Sequence, residues 1–233
     1  MKIKTAFFSG LTNLFYPHTC AGCGSDLVQH DNFLCLHCIN ELPHTDFAFH
    51  KNNPVEKIFW GRLQLIAAMS TFYFTKDALI QTLIHSFKYK GERNIGHYLG
   101  TMMGNSMLMS GRFNTIDMII PLPLFAAKER RRGFNQAAIL CNGISEIMNV
   151  HVVNHNVERR KFTETQTKKH RNERWENVSG SFQVNNPQQL KDKHILLVDD
   201  VVTTGATLEA CGAEILKFPG TRLSIATLAF ATK

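Results

Sequence analysis

The feature that most constrains this chain is an apolar run that leads directly into two acidic residues and a loop of threonine and glycine. Residues 195–198 are apolar and mostly branched, a pattern typical of a buried strand in a parallel sheet. Asp199 and Asp200 follow, and a tight loop over residues 201–205 leads to a helix that opens near Ala206. Ligands of open α/β sheets bind beyond the carboxyl ends of strands, so this order predicts an α/β domain with a ligand site here.

The loop and the start of the helix carry groups that suit a phosphate. The first N–H groups of a helix have no partner within the helix and lie at the positive end of its dipole. Thr203, Thr204 and Thr207 add hydroxyl donors, and Gly205 allows a close approach or a positive φ. The loop would bind a phosphate, and the acid pair would bind two vicinal hydroxyls. Together they predict a ribose 5-phosphate as the ligand. The alternative is a buried strand followed by two helix-capping aspartates and an ordinary loop.

Four of the six cysteines form a second pattern near the N-terminus. Two residues separate Cys20 from Cys23, and Cys35 and Cys38 repeat this spacing after a short spacer. Two such pairs predict a tetrahedral zinc site, and four thiolates leave no open position on the metal, so its role would be structural. An iron–sulfur centre and a pair of disulfides are the alternatives, although a reducing cytosol disfavours disulfides.

Charge and the N-terminal residues bear on partners and location. The net charge of +7 predicts a polyanionic partner, and both a nucleic acid and a pyrophosphate-bearing sugar fit this charge. No apolar run is long enough for a membrane-spanning helix. Thr12 and Asn13 interrupt the apolar start, so we expect a helix that packs through Phe7, Leu11 and Phe15 instead of a signal peptide. We therefore expect a cytoplasmic protein.

A cationic cluster follows a second buried-strand pattern. The run over residues 116–124 is apolar except for Asp117 and stops at Pro121 and Pro123, and Arg130 and Arg132 come just after it. Arginine forks suit phosphate oxygens, and a position just past a strand end lies on the ligand side of such a sheet. The alternative is the solvated, basic start of a helix.

The remaining patterns predict the domain organisation. Residues 1–50 would form an N-terminal helix and zinc-binding segment, and residues 51–233 the main domain. Residues 40–61 show little patterning, so we expect a linker there. Apolar periodicity predicts further strands at 63–74, 180–184 and 222–231, and helices at 77–90 and 94–109.

The stretch 158–177 is long, cationic and almost without apolar periodicity, so we expect a loop there. Its position just before the acid pair and its loop predicts a lid over the site. A nucleic-acid-binding arm is the alternative, with Phe162 and Trp175 available to stack on bases.

Together these motifs resemble the ComF family of bacterial competence proteins. Besides the cysteines and the acid pair with its loop, the resemblance is carried by Phe87, Lys88, Tyr89, Gly91, residues 121–124, residues 132–136, Arg159, Thr163, Gln166, Arg174 and Asn177. The family joins an N-terminal zinc-binding segment to a type I phosphoribosyltransferase-like domain, which implies a mostly parallel sheet flanked by helices. Two departures are Lys128, often an arginine in the family, and Lys169, where an apolar residue is usual.

The resemblance implies binding of 5-phosphoribosyl-1-pyrophosphate (PRPP) with Mg²⁺. Asp199 and Asp200 would hold the ribose hydroxyls and stabilise the positive charge that develops during transfer. Arg130 and Arg132, with Mg²⁺, would neutralise the departing pyrophosphate. The loop that holds the sugar phosphate would comprise Val201, Thr203, Thr204, Gly205, Ala206 and Thr207. The lid would carry Arg159, Thr163, Gln166 and Arg174.

Two functions are compatible with this resemblance, and both involve DNA taken up during natural transformation. The first is a phosphoribosyltransferase with an acceptor that the sequence does not name. The second is a non-catalytic module that senses PRPP and acts on single-stranded DNA or on a DNA-uptake protein. Release of pyrophosphate from PRPP separates the two, because a binding module would hold PRPP without releasing pyrophosphate.

Overall fold

The structure of the protein is a computed structural model that describes most of the main domain and the cysteine segment. The described ranges are 19–26, 33–75, 78–89, 91–160 and 180–231. The expected first helix lies outside them, as does most of the expected loop 158–177.

In the described ranges, pairs of helices precede β1, β2 and β3, and a single helix lies between β5 and β6. The helices are α1 (Leu36–Glu41), α2 (Pro54–Phe59), α3 (Leu79–Tyr89), α4 (Arg93–Ser110), α5 (Ala126–Arg132), α6 (Gln136–Met148) and α7 (Ala206–Ile215). The strands are β1 (Ala67–Phe74), β2 (Met118–Pro121), β3 (Val157–Arg159), β4 (Phe182–Val184), β5 (His194–Val202) and β6 (Arg222–Ala231). A short 3₁₀ helix spans Pro187–Gln189. No helix in the described ranges is long and apolar enough to cross a membrane.

A parallel sheet in the strand order β1-β6-β5-β2 forms the centre of the fold. Val198 of β5 lies opposite Ala226 of β6 and Pro121 of β2, so β5 is hydrogen-bonded on both sides. Residues 195–198 are fully buried because helices cover the sheet, which explains their continuous apolar run. Strands β3 and β4 form a separate antiparallel pair. The expected α/β fold, with a mostly parallel sheet flanked by helices, is confirmed.

The acid pair lies within β5 because the strand continues to Val202, two residues further than we expected. Glu158 and Arg159 belong to strand β3, so the expected loop is wrong at its first two residues. A strand of three residues is too short to show periodicity, and its pairing with β4 is what defines it.

Residues 40–61 are part of the fold, and the expected linker is wrong. The buried side chain of Asn53 caps α2 by accepting hydrogen bonds from the N–H groups of Val55 and Glu56, and it also donates to the carbonyl of Ala68 in β1. Val55 and Phe59 of α2 are fully buried. A helix of six residues is too short to show a periodic pattern, so its capping residue and the following proline specify it.

Helices α4 and α6 cross with their backbones in close contact. A Cβ atom on Gly143 of α6 would collide with the carbonyl oxygen of His97 in α4 and would lie 2.7 Å from the amide nitrogen of Thr101. Gly100 of α4 faces the backbone of Leu140 in the same way. The two glycines therefore set the distance between the helices.

We predict that Gly143→Ala destabilises the protein by about 1–3 kcal/mol, the usual cost of overpacking. Alanine is the better helix former by about 1 kcal/mol, but the methyl group meets backbone that cannot swing aside. Urea unfolding measures the change. Asn142→Ala, at the exposed neighbouring position, is the control and should leave stability unchanged or slightly raised. A Gly143→Ala variant as stable as the wild type would contradict the close crossing.

Candidate functional site

The acid pair stands at the carboxyl end of the central strand, half-buried between neighbouring strands. Asp199 lies opposite Thr227 of β6, and its Oδ1 accepts a hydrogen bond of 2.8 Å from the N–H group of Asp200. Burial, and then the charge of Asp200, raise the pKa of Asp199 from 3.8 to about 7; the Asp200 N–H group, Lys88 and Arg159 act in the opposite direction. The pair therefore concentrates negative charge where a sheet of this type binds its ligands.

Lys88 contacts the acid pair directly. Its Nζ lies 2.7 Å from Oδ2 of Asp200, and only 18% of the lysine side chain and 15% of the aspartate side chain are exposed. Lys88 sits in the last turn of α3, next to the fully buried Phe87. The resemblance pointed to this lysine, but sequence reasoning gave it no role, because nothing local links α3 to a strand more than a hundred residues further along the chain.

Further cations from other elements surround the pair. The pKa of the Lys128 ammonium in α5 is lowered by burial and then by the charges of Arg132, Arg159 and Lys88, while Asp200 raises it. These four cations therefore occupy the same small region, although they come from three separate parts of the chain. A polyanionic ligand would relieve their mutual repulsion.

The two arginines that we expected to bind pyrophosphate lie in different environments. Arg132 is half-buried, donates a hydrogen bond of 2.7 Å to Oε1 of Gln136, and lies with its guanidinium 5.6 Å from the ring centre of Tyr89. Arg130 is exposed on the same short helix. The structure therefore brings Arg132 into the cationic region and leaves Arg130 at the surface.

Arg159 lies in strand β3, beside the acid pair, and not in a lid. Its guanidinium packs 5.5 Å from the ring centre of Phe182 in β4. Burial lowers its pKa, and the charge of Asp199 acts against that shift. The other residues that we assigned to the lid, Thr163, Gln166 and Arg174, lie outside the described ranges.

The loop after β5 leads into α7 through Gly205, whose φ of 75° is left-handed. A Cβ atom here would lie 2.6 Å from Cγ2 of Ile58 in α2, so glycine is required by both its dihedral angle and the close packing. An ion pair between Arg62 and Glu209 also joins α7 to the chain after α2. Among the described residues, no side chain caps the start of α7. Its first N–H groups are therefore suited to an anion, together with the hydroxyls of Thr203, Thr204 and Thr207.

The four cysteines near the N-terminus converge on one point. Their sulfur atoms all lie within 4.8 Å of one another, and the N–H group of Cys35 donates to Sγ of Cys20 at 3.2 Å. Burial raises the pKa of the Cys20 thiol, but hydrogen bonds from N–H groups and from Cys38 outweigh it and lower the pKa to about 6. Burial and the neighbouring thiols raise the pKa of Cys38. The cluster can hold a metal ion, because four thiolates this close together need a cation to offset their charge.

Comparison with known proteins agrees with this geometry. Residues 131–233 match the family described as phosphoribosyl transferase domain. Competence protein F of Haemophilus influenzae is 28% identical over 194 residues, which cover 81% of this chain and 80% of that protein. DNA utilization protein YhgH of Shigella flexneri is 29% identical over 206 residues, or 85% of this chain and 84% of that protein. Competence protein ComFC of Bacillus subtilis is 26% identical over 152 residues, or 63% of this chain and 58% of that protein. The chain therefore has homologues named as competence and DNA utilization proteins over most of its length, and it carries a phosphoribosyltransferase domain.

Proposed function

We propose that this chain binds PRPP with Mg²⁺ at the acid pair, transfers the phosphoribosyl group, and acts in DNA uptake. The observation that carries the proposal is the position of Asp199 and Asp200, between an uncapped helix start and a group of four cations. The phosphoribosyltransferase match supports the ligand. The names of the relatives, which refer to competence and DNA utilization, support the cellular role.

Each part of PRPP has a matching part of the site. The 5-phosphate would accept hydrogen bonds from the first N–H groups of α7 and from the threonine hydroxyls of the loop. The acid pair would accept hydrogen bonds from the two vicinal ribose hydroxyls. The pyrophosphate would lie among Lys128, Arg132 and Arg159, whose like charges it would neutralise. Mg²⁺, when bound with PRPP, would supply additional positive charge for the departing pyrophosphate.

Transfer breaks the bond between ribose C1 and the pyrophosphate oxygen, and pyrophosphate leaves with the electron pair. A new bond then joins C1 to an electron pair of the acceptor. Positive charge develops on the ribose as the first bond lengthens, and the carboxylates of Asp199 and Asp200 are placed to stabilise it if the ribose binds as proposed. The cations offset the negative charge that accumulates on pyrophosphate.

We also propose that the four-cysteine cluster binds Zn²⁺ as a structural metal. Four sulfur atoms are a common set of ligands in structural zinc sites. The N–H group of Cys35 also donates a hydrogen bond to Sγ of Cys20. Gly22 leaves room for the cysteine cluster, because a Cβ atom at this position would lie 2.8 Å from Sγ of Cys38.

We predict that Asp200→Asn weakens PRPP binding by about 1–3 kcal/mol, the range for hydrogen bonds to charged groups, because one acceptor becomes a donor. Asp199→Asn should act in the same direction. Isothermal calorimetry with PRPP and Mg²⁺ measures both. Asp192→Asn makes the same chemical change at an exposed position before β5 and should bind like the wild type. Unchanged affinity in both acid-pair variants would contradict the site.

We predict that the wild-type protein releases pyrophosphate from PRPP when a suitable acceptor is present, and that Asp200→Asn does not. A coupled assay for inorganic pyrophosphate over a panel of nucleophiles, with and without single-stranded DNA, makes the measurement. A protein that binds PRPP tightly and releases no pyrophosphate with any acceptor would be a binding module, and the transfer step would be wrong.

We predict that Cys38→Ser loses bound zinc and several kcal/mol of stability in the cysteine segment, since the metal holds that segment together. Elemental analysis of the purified protein counts the metal. Cys141→Ala, which alters a buried cysteine of α6, should keep a full complement of zinc even if it lowers stability. Wild-type protein that contains iron, or no metal, would contradict the assignment.

A further inference from the structure

We propose that Lys88 is a positioning residue of the PRPP site, which fixes the Asp200 carboxylate and offsets the repulsion between the two carboxylates. The inference rests on the proposed function, because it concerns how the acid pair is prepared for the ribose hydroxyls. Lys88 lies in α3. The acid pair and its loop lie in and after β5, and the arginines that we expected to bind pyrophosphate lie in α5, so Lys88 adds a third element to the site.

The position of Lys88 is fixed by its neighbour. The ring of Phe87 is fully buried, and it lies so close to Gly96 of α4 that a Cβ atom on that glycine would collide with it. The same ring packs at 5.8 Å from the ring of Phe134, which follows α5. The last turn of α3 is therefore held against two other helical segments. This places the Lys88 ammonium 2.7 Å from Oδ2 of Asp200.

The charge of Lys88 acts on both carboxylates. Asp200 raises the pKa of Asp199, and Lys88 lowers it. Lys128 from α5 faces Asp200, and Arg159 from β3 faces Asp199. On the remaining sides the thiols of Cys141 in α6 and Cys211 in α7 lie near Asp199, and burial raises the pKa of each thiol, so they remain neutral near pH 7.

Lys88 contacts the pair directly, because its Nζ lies 2.7 Å from Oδ2 of Asp200. Its ion pair with Asp200 is mostly shielded from water, so the Coulomb attraction between the two groups is stronger than in an exposed pair. The same contact orients the Asp200 carboxylate, one of the two acceptors that the ribose hydroxyls need in the proposed site. Lys88 therefore acts on the ligand through Asp200, and its effect should depend on the ionisation of the pair.

The expected signature is a pH dependence. PRPP needs both carboxylates as acceptors, so affinity should fall as the pH falls through the pKa of Asp199, about 7. Without Lys88, the pKa of Asp199 should rise, because Lys88 is one of the charges that lower it. An opposite charge close to a carboxyl group lowers its pKa by roughly 1–3 units. The affinity of a Lys88→Gln variant should then be roughly 5- to 50-fold weaker near pH 7 and recover toward the wild-type value near pH 9.

Calorimetry with PRPP and Mg²⁺ between about pH 6 and pH 9 tests this, with variant and wild type compared at each pH so that the ionisation of the ligand cancels. Lys88→Arg should restore affinity at least in part, because it keeps the charge. The matched control is Lys193→Gln, at the opposite end of β5. Nζ of Lys193 lies 4.0 Å from Oδ1 of Asp117, away from the acid pair, so this variant should bind PRPP like the wild type. Circular dichroism and thermal unfolding establish that each variant is folded.

Three outcomes decide the matter. If Lys88→Gln binds PRPP as tightly as the wild type, the positioning role is overturned. If Lys88→Gln binds more weakly by the same factor at every pH, the role is also overturned, because that result would mean a direct contact between Lys88 and phosphate. If the wild type binds no PRPP at any pH, the proposed function fails instead. Carboxyl ¹³C NMR of the ligand-free protein then still tests Lys88: a raised pKa of Asp199 in Lys88→Gln supports the role, and an unchanged pKa overturns it.

Discussion

Two adjacent, half-buried carboxylates at the end of β5 repel each other, and the elements around β5 are arranged to offset that repulsion. Lys88 comes from α3, Lys128 from α5 and Arg159 from β3, and none of these elements neighbours β5 in sequence. The charge balance at the site therefore exists only when the sheet and its helices have assembled. The site is a product of the whole domain and not of the acid-pair motif alone.

In the free protein, the cations do not fully offset the repulsion between the two carboxylates. Because the folded pKa of Asp199, about 7, lies above the value of 3.8 expected in the unfolded chain, the folded state holds more protons between these values. The contribution of this residue to the free energy of unfolding therefore falls as the pH rises from about 4 to about 7. Burial, and then the charges of the neighbouring cations, lower the pKa of Lys128, so the positive groups of the site also repel one another. Sites that hold unfavourable charge in the free state are typical of ligand-binding centres, where the ligand relieves the cost.

The parts of the site that could be predicted from sequence are those that local patterns specify. Residues 195–198 predicted the central strand because burial on both faces demands an unbroken apolar run, and Gly205 marked the turn into α7. The spacing of the cysteines predicted their convergence, because each pair lies within one turn of chain. These features need only a few neighbouring residues.

The parts that could not be predicted depend on contacts between distant segments. Nothing near Lys88 in the sequence indicates that its partner is Asp200, since folding alone brings α3 to the end of β5. Arg159 was assigned to a loop because its strand of three residues has no period of its own. The segment over residues 40–61 was taken for a linker because Asn53 organises it through hydrogen bonds to backbone, which leave no hydrophobic pattern.

Helix α3 links the two centres of the molecule. At its first turn, Leu79 packs so closely on the cysteine segment that a Cβ atom on Gly22 would lie 2.8 Å from the leucine Cδ1 and equally close to Sγ of Cys38. At its last turn, Lys88 forms the ion pair with Asp200. An α-helix is stiff over a length of this kind, about 1.5 Å per residue for the eleven residues of α3. One stiff helix therefore packs against Gly22 of the cysteine segment at its first turn and forms the ion pair with Asp200 at its last turn, so α3 connects the two regions of the molecule.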